Sequence, residues 1–284
     1  MTCAWKELLA VLPLWIRREM DTQDAGDLLE LRLRIHSSPE LVYAKEYRWL
    51  EGTVSQEDLD YTVNAASRYS PWAAASAVRG YITIAGGHRI GICGETVIQQ
   101  GVVTAIKHIS SLCIRIARDL TGIAAGLEGI QESVLILGPP GWGKTTLLRD
   151  LIRQMSARES ICVVDEREEL FPPGFATGNR VDVLRSCSKE IGIPMLLRTM
   201  SPGTIAVDEI TDSEDTKALV QAANCGVRLL ATAHAMSVSD FRQRVIYRSL
   251  LENNVFHTLL ILKKDKSYTM ERMTEWVTSG SVQY

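Results

Sequence analysis

Apolar positions follow two different rhythms along this chain. From residue 131 onward they form short, mostly apolar runs at 134–137, 161–164, 205–207, 227–233 and 256–262, with helical stretches such as 215–225 between them. Runs this short fit strands buried on both faces, and their alternation with helices predicts right-handed crossovers and a largely parallel sheet covered by helices. A hairpin closing the chain is expected at 262–268. Residues 1–120 mix shorter elements instead: apolar and charged residues alternate at 27–35, 56–69 has helical spacing, and 81–94 reads as a hairpin turned at Gly86-Gly87, followed by a strand at 111–117. The small, glycine-flanked stretch 121–130 reads as a linker. The expected organisation is therefore an α+β domain at 1–120, a linker at 121–130, and an α/β domain at 131–284.

Between the run at 134–137 and the amphipathic helix expected at 147–152 lies Gly138-Pro139-Pro140-Gly141-Trp142-Gly143-Lys144-Thr145-Thr146. This is a complete phosphate-binding loop. Its glycines let backbone N–H groups close around phosphate oxygens, Lys144 meets the β/γ charge, and the Thr145 hydroxyl ligates Mg²⁺. The minimal Gly-x4-Gly-Lys-Ser/Thr pattern arises by accident in about one chain in a hundred of this length. The cofactors expected are ATP and Mg²⁺.

Three other strand ends carry chemistry at the same edge of the sheet, where ligands of open α/β folds bind. The strand 204–207 ends in Asp208-Glu209, which predicts Asp208 as a metal-holding carboxylate and Glu209 as the general base. The strand 161–164 ends in Asp165-Glu166, placing Asp165 near the metal and Glu166 near the attacked phosphate. The strand 227–233 ends at His234, a candidate γ-phosphate sensor. Phosphoryl transfer also calls for a further cation, for which Arg89, Arg115, Arg118 and Arg198 are the candidates.

Charge adds little to this picture. The net charge is −3, with 13 basic and 14 acidic residues in 1–120 and 18 and 20 in the remainder, so no global field recruits nucleic acid or an anionic membrane. One basic surface stands out, with Arg79, Arg89, Lys107, Arg115 and Arg118 against Glu95 alone in 79–118. Six scattered cysteines, never as Cys-x-x-Cys, fit buried thiols in a reducing cytosol. The apolar stretch 8–16 is too short to span a membrane and reads as a helix docked on protein. Laying Trp5, Leu8, Leu12 and Trp15 on lipid is the alternative, and an exposed apolar stripe there is the expected partner-docking surface.

The run 195–210, ending Val207-Asp208-Glu209-Ile210, resembles the second acidic box of the type II/IV secretion ATPases. Ala231-Thr232-Ala233-His234 is similar to their histidine box, and Asp165-Glu166 holds the place of their Asp box. More closely, 81–94, 138–150, 164–167, 185–190 and 192–195 resemble the family of stage III sporulation AA proteins, in order and spacing across nearly the whole chain. The resemblance implies a RecA-like P-loop ATPase in the mother cell of an endospore-forming bacterium. It further implies a homohexamer, peripheral at the membrane facing the forespore, docked on an integral membrane partner and powering an assembly that spans the two membranes. Two departures stand out: secretion ATPases usually carry Gly at the place of Asp208, and the four-cysteine metal module of some of them is absent.

An ATP-hydrolysing motor is thus the leading expectation. A RecA-like nucleic-acid motor using the 79–118 surface is a second reading, opposed by the lack of an attached binding module, a basic tail or aromatic-basic interleaving beyond Tyr81. A nucleotide-gated scaffold with little turnover is a third.

Overall fold

The computed structural model describes residues 4–22, 28–67 and 80–273, which divide into two compact units. The first takes in the chain to Asp119 together with Pro172–Phe175; the second takes in Leu120–Phe171 and the chain from Ala176.

In the first unit, Pro13 separates α1 (Trp5–Ala10) from α2 (Leu14–Asp21), because its missing N–H and fixed φ suit it to start a helix. A six-stranded antiparallel sheet follows, built from β1 (Leu28–Arg34), β2 (Glu40–Tyr43), β3 (Tyr47–Trp49), β4 (Tyr81–Thr83), β5 (Arg89–Gln99) and β6 (Val102–Arg115) in the order β3-β2-β1-β6-β5-β4. A third helix, α3 (Gln56–Ala66), begins at a capping box in which Ser55 and Asp58 satisfy each other's backbone N–H groups. Leu8, Leu12, Ile16 and Met20 pack with Leu31, Leu33, Leu59, Ile90 and Ile114 in one core. Trp15 also donates its Nε1–H to Asp58 Oδ1 at 2.9 Å. The stretch 8–16 therefore lines protein core. Leu8 and Leu12 are fully buried, which leaves neither the lipid-facing surface nor the apolar docking stripe expected there. The expected strand at 111–117 is the end of a much longer β6, whose outer part pairs with β5 through a two-residue turn at Gln100-Gly101, both with positive φ. Arg79, the first residue of the expected basic surface, lies outside the described residues.

The second unit holds a seven-stranded sheet in the order β13-β12-β7-β11-β10-β8-β9. Its strands are β7 (Val134–Leu137), β8 (Ile161–Asp165), β9 (Val181–Arg185), β10 (Thr204–Val207), β11 (Arg228–Ala233), β12 (Thr258–Leu262) and β13 (Tyr268–Arg272). All neighbours run parallel except β12 and β13, which form the closing hairpin. The apolar runs are buried on both faces. Val134 and Ile136 point to a core with Leu147, Leu148, Leu151 and Ile152 of α4 (Lys144–Met155); Leu135 and Leu137 point to the opposite core. That second face is covered by α5 (Lys189–Thr199), α6 (Ser213–Asn224), α7 (Val238–Gln243) and α8 (Arg248–Glu252). The stretch 121–130 is part of this packing: Ala124 and Leu127 are buried, and Asp150 accepts from the N–H groups of Gly122 and Ala124 at 3.1 and 2.8 Å. Its glycines make turns whose apolar residues find a core.

Candidate nucleotide site

The loop 138–146 leaves β7 at the carboxyl edge of the sheet and enters α4. Gly141 and Gly143 take φ of 77° and 99°, conformations that L side chains adopt at a cost, and open space lies where a Cβ would project at either. Gly143 caps α4, so the helix's first N–H groups and the positive end of its dipole face the loop. Pro140 and Gly141 are exposed, whereas the apolar part of Trp142 packs on the core beneath. The cradle is open and rimmed by donors, the form an oligophosphate requires.

Lys144 is buried at the base of this loop, and its Nζ donates to Pro139 O at 3.1 Å and to His234 Nδ1 at 2.8 Å. With Nδ1 accepting, the imidazole proton sits on Nε2, which meets Glu209 Oε1 at 2.9 Å. Lys144, His234 and Glu209 thus form one chain from the phosphate loop to the end of β10. Burial pulls the Lys144 ammonium below its ordinary pKa, and the Glu209 and Asp208 carboxylates oppose the shift.

Asp208 accepts from the Thr145 hydroxyl at 3.1 Å and from the Thr232 hydroxyl at 3.0 Å. Burial raises its pKa against those two bonds, and the charge of Glu169 adds to the rise. A half-buried carboxylate facing the first-turn threonine of α4 is a hard oxygen pair that suits Mg²⁺. Among the described residues no group of three or more His, Cys, Asp or Glu is arranged to hold a metal by itself. An ion at Asp208 and Thr145 would need further oxygens from phosphate and water, which is how Mg²⁺ is ordinarily held at nucleotides.

Asp165 departs from the expected metal role. Its two oxygens accept from the backbone N–H groups of Glu169, Leu170 and Phe171 at 2.9, 3.1 and 2.8 Å, so the carboxylate organises the turn after β8. Burial raises its pKa while those three bonds counter it. Arg149 of α4 completes the clamp by donating to the carbonyls of Glu169 and Leu170. This arginine and its neighbour Asp150 are buried although the amphipathic pattern places them on a polar helix face.

Glu166 lines a small open cleft with Arg167, Glu169, Lys189, Asp208 and Glu209. Its carboxylate is not free there, because it pairs with Lys189 Nζ at 2.7 Å. Arg167, 3.8 Å from Glu209, is a nearby cation that the sequence reading did not select. Arg198 is displaced from the site. It lies exposed in the last turn of α5, at the edge where β10 begins, with the whole of β10 between it and Asp208. Arg89 and Arg115 belong to the first unit, opposite one another in the β5–β6 ladder; Arg89 lies 3.5 Å over the Tyr81 ring and Arg115 lies 3.7 Å from Glu30. Arg118 donates to Leu28 O at 2.7 Å.

Among solved structures, the ATPase DotB of Legionella pneumophila superimposes with a TM-score of 0.61 at 17% identity, covering 92% of this chain and 80% of that one. The fold is thus that of the secretion ATPases. Type II secretion system protein E of Klebsiella pneumoniae is 31% identical over 121 residues, 42% of this chain and 23% of that protein. Stage III sporulation protein AA of Bacillus subtilis (strain 168) is 36% identical over 280 residues, covering 92% of this chain and 91% of that protein. The model of the family described as "Sporulation stage III, protein AA" matches residues 4–272, and the chain belongs to that family.

Proposed function

We propose that this protein binds Mg-ATP on the loop 138–146 and hydrolyses it to drive a membrane-spanning assembly between mother cell and forespore during endospore formation. The observation that carries this reading is the continuous chain Lys144–His234–Glu209, beside the Thr145–Asp208 pair. It joins the group that meets phosphate to the carboxylate best placed to take a proton from water.

The backbone of Gly141, Gly143 and Lys144 would cradle the phosphates, and Thr145 and Asp208 would hold Mg²⁺. The ion's contribution is to neutralise charge on the β- and γ-oxygens. When phosphate takes Lys144, His234 loses its Nδ1 donor and becomes able to report the loop's occupancy to Glu209. Glu209 accepts the proton of the attacking water. Burial of Lys144 and partial burial of Asp208 keep these charges in reduced dielectric, where each acts more strongly than in water.

In a ring of six, a neighbouring subunit would add a further cation for the transferred group beside Arg167, with Arg89 and Arg115 as the arginines offered. Among the described residues no helix is long and apolar enough to cross a membrane. The attachment proposed is peripheral, at the cytoplasmic face in the mother cell, through an integral membrane protein of the same complex.

The test is the ATP hydrolysis rate per subunit as protein concentration is raised, beside Glu209→Gln. A cooperative rise that the substitution lowers by roughly 100-fold or more is expected. Nucleotide bound with a flat background rate at every concentration would overturn hydrolysis and leave a nucleotide-gated scaffold.

A further inference from the structure

Lys189 breaks two local rules at once. It stands in the first turn of α5, where the helix dipole disfavours a cation, and its side chain is only 5% exposed although lysines are rarely buried. Its ammonium bridges two carboxylates, Glu166 Oε2 at 2.7 Å and Asp215 Oδ2 at 3.2 Å. Burial alone would lower its pKa, but the two carboxylates more than offset this and hold it charged above its ordinary range.

What those carboxylates do gives the bridge its meaning. Glu166 belongs to the turn after β8. Asp215 reaches back to the turn after β10, where the same Oδ2 accepts from Thr211 N at 2.9 Å and from Thr211 Oγ1 at 3.0 Å. Thr211 lies two residues beyond Glu209, and Ile210 between them is pinned through its N–H to Thr232 O at 2.9 Å. One buried cation therefore ties together the two turns that carry Glu166 and Glu209, on the wall of the cleft that both line.

We propose that Lys189 is a positioning residue, a brace that fixes the Glu209 turn through Asp215 and Thr211 and holds Glu166 against the same cleft. The proposal rests on the hydrolytic reading above for its effect on turnover, but the brace itself exists without nucleotide.

Two variants test it in the full chain: Lys189→Met, which removes the cation, and Thr211→Val, which cuts the hydroxyl link and leaves all three charges in place. The first readout is amide exchange of the segment 208–215 without nucleotide. Exchange at least ten-fold faster in Lys189→Met and a few-fold faster in Thr211→Val is expected, with the segment 134–137 unchanged. The second is turnover per nucleotide-binding site: kcat falls ten-fold or more in Lys189→Met and two- to three-fold in Thr211→Val, with KM within two-fold of wild type. The double variant adds nothing to Lys189→Met. Unchanged exchange at 208–215 in folded Lys189→Met overturns the brace, as does kcat per binding site equal to that of an active wild type. Should Lys189→Met fail to fold, Thr211→Val decides by the same two readouts. A wild type that binds nucleotide without turning it over defeats the hydrolytic reading instead, and exchange still decides the brace.

Discussion

The two units handle polar burial in opposite ways. In the first, the buried polar side chains among the described residues are few, Thr62, Ser67, His88 and Asp119, and ion pairs such as Arg34–Glu40 and Arg48–Glu46 lie at the surface. In the second, Lys144, Arg149, Asp165, Lys189 and Asp215 are all buried, and each is tied to the backbone or to another charge. Burying charge costs several kcal/mol per ion unless pairing offsets it, so a fold concentrates such groups where they are used. Asp165, Lys189 and Asp215 gather around the turns after β8 and β10, and Lys144 joins them at the same edge. The first unit, by this measure, is a body held by apolar packing; the second is a body organised around a charged edge.

The sharpest way to break this contrast is at Asp165. Replacing it by Ala leaves three backbone N–H groups without their acceptor in a buried turn. An orphaned buried donor costs about 1–3 kcal/mol, so a loss on the order of 4 kcal/mol is expected in a urea melt of the second unit. Asp165→Asn, which keeps one acceptor oxygen, should lose about half as much. If Asp165 instead held the metal, both variants would keep their stability and lose Mg²⁺ dependence, and the reading of the charged edge as partly architectural would fall.

Leu12 tests the other body. It is fully buried between α1 and α2, so Leu12→Ala should cost about 3 kcal/mol by transfer and cavity terms. Tryptophan fluorescence, to which Trp15 on the same core contributes, follows the transition. A melt unchanged by the substitution would return Leu12 to the surface, where a docking or lipid-facing role was expected.

The docking stripe expected at 8–16 shows where the sequence stops being legible, although the helix itself packs on protein as read. Nine apolar-rich residues at 8–16 fit a surface stripe and a buried helix pair equally well, because periodicity fixes which residues share a face and not what covers it. The parallel sheet was readable for the converse reason: strands covered on both faces carry three or four consecutive apolar residues, and these recur between helical stretches. The edge strand β9, Val181–Arg185, has no comparable signal, since Asp182 and Arg185 interrupt its apolar positions and none is fully buried. The outer β5–β6 hairpin has its signal in Gln100-Gly101 between β-branched runs, in addition to the glycine pair at 86–87 that turns β4 into β5 as expected. At the candidate site, the loop 138–146 and the Asp208-Glu209 strand end could be read because backbone geometry dictates their residue types. Lys189 and Arg149 could not, since each looks like an ordinary charged helix residue until tertiary packing buries it.

His88 gives the smallest expected effect and the finest test of the contrast, because it is the one imidazole buried in the body held by packing. It is fully buried; its Nδ1 accepts from Ala117 N at 3.1 Å, which leaves Nε2–H to donate to Ala4 O at 2.8 Å. A proton added at Nδ1 would face the Ala117 N–H directly. Burial lowers the His88 pKa below the ordinary 6.5, while the bond to Ala4 and the charge of Glu7 act against the shift. The unfolded chain therefore binds this proton more readily than the folded one. The stability contributed is complete above about pH 6.5 and is lost as pH falls from there through the depressed folded value, at no more than about 1.4 kcal/mol per pH unit. Urea melts of the first unit between pH 7.5 and 5, followed by tryptophan fluorescence, should show this slope. His88→Asn, whose amide can accept from Ala117 without titrating, should start less stable at pH 7.5 and flatten the profile. An equal slope in both proteins would place the titration elsewhere and leave His88 a packing residue like its apolar neighbours.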